Sequence, residues 1–140
     1  MLTDNSEKAV FALNPLALAY LGDAVWESFV RARIMRSKSF GNNADRLHKE
    51  GVHYVNAGAQ AHVIRELMPE LSESEQALVK RARNHRTATK AKNADPVEYK
   101  WATGFEALLG ALELSGQRER LGSLMEASAA MVEEHLNRKR

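Results

Sequence analysis

The stretch Leu18-Ala19-Tyr20-Leu21-Gly22-Asp23-Ala24-Val25 decides the fold class, because it lies within a long segment whose apolar residues recur at helical spacing. Asn14 followed by Pro15 has the pattern of an N-cap and a first helical residue, and predicts a helix that runs to about Arg36. Nearly every other segment of the 140-residue chain has the same helical periodicity. We therefore predict an all-α fold.

The helix boundaries outside this stretch follow from glycine, asparagine and proline. Gly41-Asn42-Asn43 interrupts the chain after the first long helix, and Gly51 and Asn56 punctuate the next part, where we expect two helices before Pro69. These signals divide the first half of the chain into three long helices.

Capping signals divide the second half. Two pairs have the spacing of a capping box, namely Ser72 with Glu75 and Asp95 with Glu98. We expect Gly116 to close the helix that begins at Pro96. A last helix from about Arg118 is expected to end in the basic tail Arg138-Lys139-Arg140.

The composition indicates one globular domain. With 140 residues and 44% hydrophobic residues, the chain can form one core, so residues 1–140 are predicted to be a single domain with a short N-terminal and a basic C-terminal tail. The absence of cysteine excludes disulfides, thiolate metal sites and cysteine nucleophiles. With neither a secretory signal nor an apolar run of about 18 residues, the sequence favours a cytoplasmic protein without a membrane partner.

The basic residues are unevenly distributed. The net charge is only +2, but the segment 80–92 contains six basic residues and no acid: Lys80, Arg81, Arg83, Arg86, Lys90 and Lys92. Such a cluster is typical of a surface that binds a polyanion, although a solvated helix end would look the same. Residues 86–94 are predicted to form an exposed loop that presents charge to phosphates or is merely a solvated connection.

Asp23 is an acid on a helix that is predicted to be apolar on two faces. One face is a core stripe of Leu18, Leu21, Val25 and Phe29, and the opposite side carries Leu16, Tyr20, Asp23, Glu27 and Val30. Since such a helix is normally sandwiched, we expect Asp23 to be partly buried. A buried carboxylate needs a cation, a metal or hydrogen-bond donors.

Glu106 is a second acid in apolar surroundings. Its helix has a core stripe of Phe105, Leu108, Leu109 and Leu112, and the acid is surrounded by Ala102, Thr103, Gly110 and Glu113. If Gly22 and Gly110 let the two helices nearly touch, both carboxylates could converge on a divalent cation, which prefers oxygen ligands. The alternative is that each acid pairs separately with an arginine or caps backbone groups.

Two motifs carry a resemblance to a known family. The stretch 18–25 resembles the first signature of the ribonuclease III family, and Gly104-Phe105-Glu106-Ala107-Leu108-Leu109-Gly110-Ala111-Leu112 resembles the second. The resemblance covers essentially the whole chain as one catalytic domain, without the separate double-stranded RNA-binding domain of ordinary ribonuclease III.

The resemblance implies a Mg²⁺-dependent endoribonuclease that cleaves double-stranded RNA, with Asp23 and Glu106 as catalytic residues and metal ligands. The family usually has four acids, but here Ala19 replaces a glutamate and Thr103 an aspartate. This departure predicts fewer protein ligands, with water and RNA phosphate completing the coordination. Glu27 is a candidate neighbour of the site. The expected substrate is a precursor of large-subunit (23S) ribosomal RNA, with a ribosomal protein as an optional partner.

The resemblance also implies a homodimer in which the first signature helices meet across a two-fold axis. Tyr20 is the best candidate for packing into the partner, with Leu16 and Trp26 as neighbours, while the alternative for Tyr20 is a place in its own core. The residues expected to contact RNA are Arg81, Arg83, Asn84, Arg86, Lys90 and Lys92.

Two other functions compete with this hypothesis. One is a non-catalytic RNA-binding or ribosome-associated protein with a ribonuclease III fold, against which the two retained acids argue. The other is an unrelated helical protein-interaction module, which would need no divalent metal.

Overall fold

The structure is a computed structural model that describes residues 4–37, 42–85 and 95–139. Within these ranges the chain forms seven α-helices and no strand, which confirms the predicted all-α fold. The helices are α1 (Glu7–Phe11), α2 (Pro15–Arg36), α3 (Ala44–Val55), α4 (Ala57–Leu67), α5 (Glu73–Asn84), α6 (Pro96–Leu114) and α7 (Arg118–Lys139). A 3-10 turn at Met68–Glu70 connects α4 to α5, and the short helix α1 is an element that the sequence did not predict.

The helix ends in the first half follow the predicted signals, with one exception. The Asn14 side chain accepts a hydrogen bond from the Leu16 backbone N–H at 2.8 Å and caps α2, which ends at Arg36 as expected. Asn56 ends α3 and caps α4, accepting from the Ala59 N–H at 2.8 Å. Gly51 does not interrupt the chain but lies inside α3, where the surrounding helical residues override one weak helix former.

Both predicted capping boxes cap a helix, but only one is reciprocal. At Ser72 the hydroxyl accepts from the Glu75 N–H at 3.2 Å, and the Glu75 carboxylate accepts from the Ser72 N–H at 2.8 Å. Asp95 accepts from the backbone N–H groups at the start of α6. The Glu98 carboxylate instead faces Gly58 on α4, and its oxygens would lie 3.4 Å from a Cβ atom there.

Gly116 closes α6 as predicted. Its φ of 74° is in the left-handed region that glycine adopts without a steric penalty. Its N–H donates to the Glu113 carbonyl at 3.1 Å, and the Gln117 N–H donates to the Leu112 carbonyl at 2.9 Å. This pair of bonds is a Schellman motif, which ends the helix sharply and starts α7 two residues later.

Helix α6 is the centre of the fold, with α2, α4 and α5 packed around it. The residues from Ala102 to Leu112 are buried, apart from Glu106, which is half-buried. A central helix surrounded in this way must be apolar on nearly all sides, as the sequence of α6 is. The position of Glu106 on such a helix is therefore unusual for an acid.

The core side of α2 differs in part from the prediction. Leu18 is buried as expected, but Leu21, Val25 and Phe29 are only half-buried. Trp26, Val30 and Ile34 are the other large residues that α2 buries, so the prediction that Val30 lies on the opposite side was wrong. The reason is that the line through Gly22 and Trp26 faces α6, which rotates the helix relative to the predicted stripe.

Trp26 fixes this orientation of α2. Its ring meets Phe105 of α6 edge to face at a centroid distance of 5.1 Å, and its Nε1–H donates to the Tyr54 carbonyl of α3 at 3.0 Å. A buried indole with its one donor satisfied locks both the depth and the rotation of the helix.

None of the helices in the described ranges is both long and apolar enough to cross a bilayer.

Candidate active site

Two glycines bring α2 and α6 into backbone contact. A Cβ atom at Gly22 would overlap the carbonyl oxygen of Glu106, and one at Gly110 would overlap the carbonyl oxygen of Leu18. Any larger residue would force the helices apart, so the glycines set their separation. This is the close approach that the sequence predicted for these two positions.

The contact brings the two predicted acids together. The carboxyl groups of Asp23 and Glu106 lie within hydrogen-bonding reach of each other, although they are far apart in sequence. Neither acid forms an ion pair with a lysine or arginine in the described ranges. The alternative in which each acid pairs separately with an arginine is therefore not what the fold builds.

The two acids differ in exposure. Glu106 is half-buried, whereas Asp23 is exposed in the single chain, so the prediction that Asp23 is partly buried was wrong for the isolated subunit. The reason is that Gly22 occupies the contact with α6, which leaves Asp23 at the rim. The site is thus an acid pair at the edge of the core. A shallow depression beside it is lined by Asp23, Ala24, Glu27, Ser28 and Arg31.

The electrostatic environment of the site acts on the Glu106 carboxyl group. The pKa of Glu106 is raised to about 8 from its ordinary 4.5, mainly by burial and also by the hydrogen bond and negative charge of Asp23. The nearby amide of Gln60 acts in the opposite direction and lowers the pKa of Glu106, whereas the charge of Glu27 adds to the increase. Two acids held this close are stabilised either by a shared proton or by a cation.

The donor set fits a hard divalent cation with few protein ligands. Asp23 and Glu106 supply carboxylate oxygens, the ligands that Mg²⁺ prefers, and Mg²⁺ commonly keeps several waters. In the part of the chain that the structure describes, no three or more histidine, cysteine, aspartate or glutamate side chains are grouped as a metal site.

The two positions where the family pattern has further acids add no ligand. Ala19 is buried and has no polar side-chain atom. The hydroxyl of Thr103 is also buried and donates to the Tyr99 carbonyl one turn earlier, at 3.0 Å. Glu27 is engaged on its own helix, where its carboxylate pairs with Arg31 at 2.7 Å. Neither position thus adds a carboxylate to the pair formed by Asp23 and Glu106.

Three of the six residues predicted to contact RNA lie in the described ranges. Arg81 donates to the carbonyl groups of Phe11 and Leu13, so the structure gives it a structural role in tying the segment before α2 to α5. Arg83 donates to the Asn84 side chain at 3.1 Å, and Asn84 is exposed. The other three predicted contacts, Arg86, Lys90 and Lys92, lie outside the described residues.

Arg83 is also part of an arginine stack on Trp101 that the sequence did not reveal. The guanidinium of Arg83 lies over the ring of Trp101 at 4.8 Å from the centroid, and that of Arg65 from α4 lies over the same ring at 5.2 Å. Stacking on an aromatic ring fixes the direction of each guanidinium while its N–H groups remain able to donate. Trp101 precedes Glu106 by five residues, or about 7.5 Å along the helix axis.

The three predicted interface residues have different environments. The Tyr20 side chain is 85% exposed, so the alternative of a place in its own core is excluded. Leu16 is half-buried. Trp26 is only 1% exposed and is packed inside its own chain, so the prediction that it lies at an interface was wrong. The core side of α2 is rotated relative to the predicted stripe, which turns Trp26 inward against Phe105.

One further polar residue next to the acid pair was missed. Gln60 of α4 is 3% exposed and its amide reaches the Glu106 carboxyl group. A signal existed in the sequence, because Gln60 precedes Val63 and Ile64 by three and four residues and so shares the apolar face of its helix. No comparable signal existed for Arg65 or Trp101, whose stack depends on how α4 and α6 pack.

Comparison with known proteins defines the class. Residues 16–117 match the Ribonuclease III domain family, a span that contains both glycine contacts and both acids. The fold is also similar to the crystal structure of a Fusobacterium nucleatum protein, with a TM-score of 0.72 and 32% identity over 82% of this chain and 90% of that one. The chain belongs to the ribonuclease III family and is an endoribonuclease of that type.

Its relatives narrow this class. It is 48% identical to the Mini-ribonuclease 3 of Symbiobacterium thermophilum, over 86% of this chain and 92% of the relative. It is 43% identical to the protein of the same name in Thermoanaerobacter sp., over 92% and 89%, and 36% identical to that of Staphylococcus aureus, over 95% and 99%. Within the family, these matches place the chain with the Mini-ribonuclease 3 proteins.

Proposed function

We propose that this endoribonuclease cleaves double-stranded RNA in a Mg²⁺-dependent reaction, with Asp23 and Glu106 as its catalytic residues and metal ligands. The observation that carries the proposal is the convergence of the two carboxyl groups across the backbone contact between α2 and α6. Two adjacent acids without a basic partner, one of them with a strongly raised pKa, are typical of a site that a cation or a reaction uses.

In this reaction, the role of the protein itself is to hold and orient the metal ion. The chemistry that Mg²⁺ supplies when bound is activation of water and stabilisation of charge on the phosphate. Asp23 and Glu106 provide fixed anionic oxygens, and the glycine contact keeps them together. Glu106 must give up its proton for this role, which links metal binding to proton release. No side chain is needed as a nucleophile.

The RNA surface in this proposal is the basic segment 80–92 together with the arginine stack on Trp101. Arg83 belongs to both, and Arg65 extends the surface onto α4. A-form RNA exposes phosphates and 2′-hydroxyl groups across a wide minor groove, so positive charge and shape are sufficient for recognition. Arg81 is left out of this surface because its guanidinium is bound to its own chain.

The proposal includes a homodimer. Tyr20 is a large aromatic side chain with 85% of its surface exposed, and its neighbours Ala17 and Ala24 on the same face of α2 are also exposed. A two-fold axis through this face would bury Tyr20 and bring the two Asp23 residues toward each other, one for each strand of a duplex. The proposed partner surface therefore consists of Tyr20, Leu16 and the alanines.

The biological role that we propose is maturation of the 23S ribosomal RNA precursor in the cytoplasm, with or without a ribosomal protein. This role is proposed because the chain is similar to the Mini-ribonuclease 3 proteins. We further propose that residues 1–140 function as one catalytic domain. A non-catalytic RNA-binding role is the competing function, and the retained acid pair argues against it.

One experiment tests the proposal. The purified protein is incubated with a uniform RNA duplex, with Mg²⁺ or with a chelator, and the products are separated on a denaturing gel. We expect both strands to be cleaved with Mg²⁺, and the RNA to stay uncut in the chelator. A protein that binds the duplex with or without Mg²⁺ and never cleaves it would instead have the non-catalytic function. A single strand of the same sequence serves as the control for duplex specificity.

A further inference from the structure

Gln60 is a buried polar side chain whose hydrogen-bonding capacity is not used. It lies in the second turn of α4 and is 3% exposed. Its amide nitrogen has no hydrogen-bond partner of normal geometry among the described residues, and it is the buried side-chain atom in those ranges for which this is so. An unsatisfied buried amide costs folding free energy, so its retention needs a reason.

The reason lies in what the amide faces. Helix α4 packs on α6, and the Gln60 side chain reaches the carboxyl group of Glu106 from the core side. Asp23 approaches the same carboxyl group from the solvent side, on α2. Glu106 is thus held between a neutral donor inside the protein and an acid at the rim.

A carboxylate that binds a cation through one oxygen leaves its second oxygen free to accept a hydrogen bond. A buried N–H donor that reaches the second oxygen fixes the plane of the carboxylate and favours its charged form. In Gln60 this donor is present and unoccupied, and it is carried on a rigid helix rather than on a loop. The neighbouring side chains on its face, such as Val63 and Ile64, are apolar and offer no competing acceptor.

We propose that Gln60 is a positioning residue that donates a hydrogen bond to Glu106 when a divalent cation is bound, and so sets the affinity of the acid pair for that cation. The inference rests on the proposed function, in which Asp23 and Glu106 are the metal ligands. Gln60 itself touches neither substrate nor cation in this assignment. In the metal-free protein its unsatisfied amide lowers the stability of the fold, and in the metal-bound protein the same amide fixes the orientation of the Glu106 carboxylate.

The test uses Gln60→Met, which keeps the length of the side chain and removes the donor. Because the lost amide was unsatisfied, the metal-free variant should be at least as stable as the wild type in thermal unfolding. Mn²⁺ binding, measured by electron paramagnetic resonance of the free ion, should weaken about tenfold, the low end of the effect of losing a partner of a metal ligand. The Mg²⁺ concentration for half-maximal cleavage should rise by the same factor.

The matched control is Gln76→Met, because the Gln76 amide is satisfied and remote in sequence from the acid pair. It donates to the Met68 carbonyl at 2.7 Å and to the Leu71 carbonyl at 3.3 Å. This variant should lose stability and keep the Mn²⁺ affinity and the Mg²⁺ requirement of the wild type. The two substitutions are chemically identical, so any difference between them must come from the position of the glutamine. Gln60→Met should change the Mn²⁺ affinity but not lower the stability, and Gln76→Met should do the reverse.

The outcomes separate the inference from the proposed function. A Gln60→Met protein that is less stable but binds Mn²⁺ as the wild type does would show that Gln60 only packs, and would overturn the inference. A wild type that binds Mn²⁺ but cuts no duplex would overturn the proposed function. In that case the Mn²⁺ affinities of the two methionine variants would still decide the role of Gln60.

Discussion

Gly22 and Glu106 are in contact through their backbones, so that a Cβ atom at position 22 would overlap the Glu106 carbonyl oxygen and lie 3.0 Å from the Gly110 nitrogen. The same glycine precedes Asp23. The contact that packs the two central helices is therefore also the one that places the two acids side by side. Stability and site geometry depend on one residue without a side chain.

The first prediction concerns this contact. Gly22→Ala should destabilise the protein by about 1–3 kcal/mol or more, because overpacking against backbone cannot be relieved by a rotamer change. Cleavage should fall as well, since the acids move apart with their helices. Gly122→Ala is the control, as nothing lies within 4 Å of a Cβ there. Inside α7 it should stabilise by about 0.5–1 kcal/mol. Equal melting temperatures for the two variants in thermal unfolding would contradict the glycine contact.

The second prediction concerns Asp23. Asp23→Asn should reduce cleavage of duplex RNA by on the order of 10²–10³-fold, the usual effect of removing a group that stabilises charge in an active site. Folding and most of the RNA binding should be kept, because Asp23 is exposed and bears no structural ion pair. Single-turnover rates and a binding titration in chelator measure the two effects.

The matched control for this substitution is Asp45→Asn. Asp45 is also an exposed helical aspartate, and it pairs with Lys49 at 3.2 Å on α3. The Asp45→Asn protein should cut RNA at the wild-type rate. If Asp23→Asn retained Mg²⁺-dependent cleavage, Asp23 would not be a catalytic residue.

The third prediction is a pH dependence of the metal-free protein. The pKa of Glu106 is raised to about 8 from an ordinary 4.5, so between these values the folded state binds more protons than the unfolded state. The free energy of unfolding must then fall as pH rises through this range. Glu106→Gln removes the titrating group, and its stability in chelator should be flatter with pH between 4.5 and 8.

Mg²⁺ provides the opposite arm of the same experiment. Because the cation needs a charged Glu106, its stabilising effect in thermal unfolding should increase with pH up to about 8 and should be weaker in Glu106→Gln. An Mg²⁺ effect that does not change with pH would mean that Glu106 is not a ligand.

Local signals in the sequence were sufficient for most of the helix boundaries. Asn14, Ser72 and Gly116 act on residues within a few positions of themselves, so their effects can be derived without knowledge of the fold. The glycine contact was also predictable, because small residues beside an acid on each of two apolar helices indicate close packing. These features depend on composition and spacing alone.

Features that depend on packing between distant segments could not be derived. The rotation of α2 is set by the bond from Trp26 to Tyr54, and Arg81 reaches Leu13 across the fold at 3.0 Å. Periodicity places a residue on a face but does not say which face meets which helix. Periodicity alone therefore could not show that Trp26 is buried in its own chain, that Arg81 donates to two backbone carbonyl groups, or that Gln60 lies next to the acid pair.

The fourth prediction concerns the basic segment between α5 and α6. Replacing Arg86, Lys90 and Lys92 together with serine should weaken duplex binding and lower the slope of log affinity against log salt by about 2 to 3, as expected when up to three phosphate contacts are lost. Replacing Arg118, Arg138 and Lys139 on α7 changes the net charge equally and should lower the slope less. An unchanged slope in the first variant would remove the segment from the RNA interface.

The last prediction concerns Tyr20, a residue that is 85% exposed in the single chain. Tyr20→Arg should convert the proposed dimer to monomers in sedimentation equilibrium, because a symmetric interface would bring two like charges together at its centre. Val97→Arg changes another exposed apolar residue, one that is 55% exposed at the start of α6, and should leave the dimer intact. The Tyr20 variant should keep its fold, since it buries no part of the core. A monomeric wild type, or a Tyr20→Arg protein that stays dimeric, would contradict the proposed interface on α2.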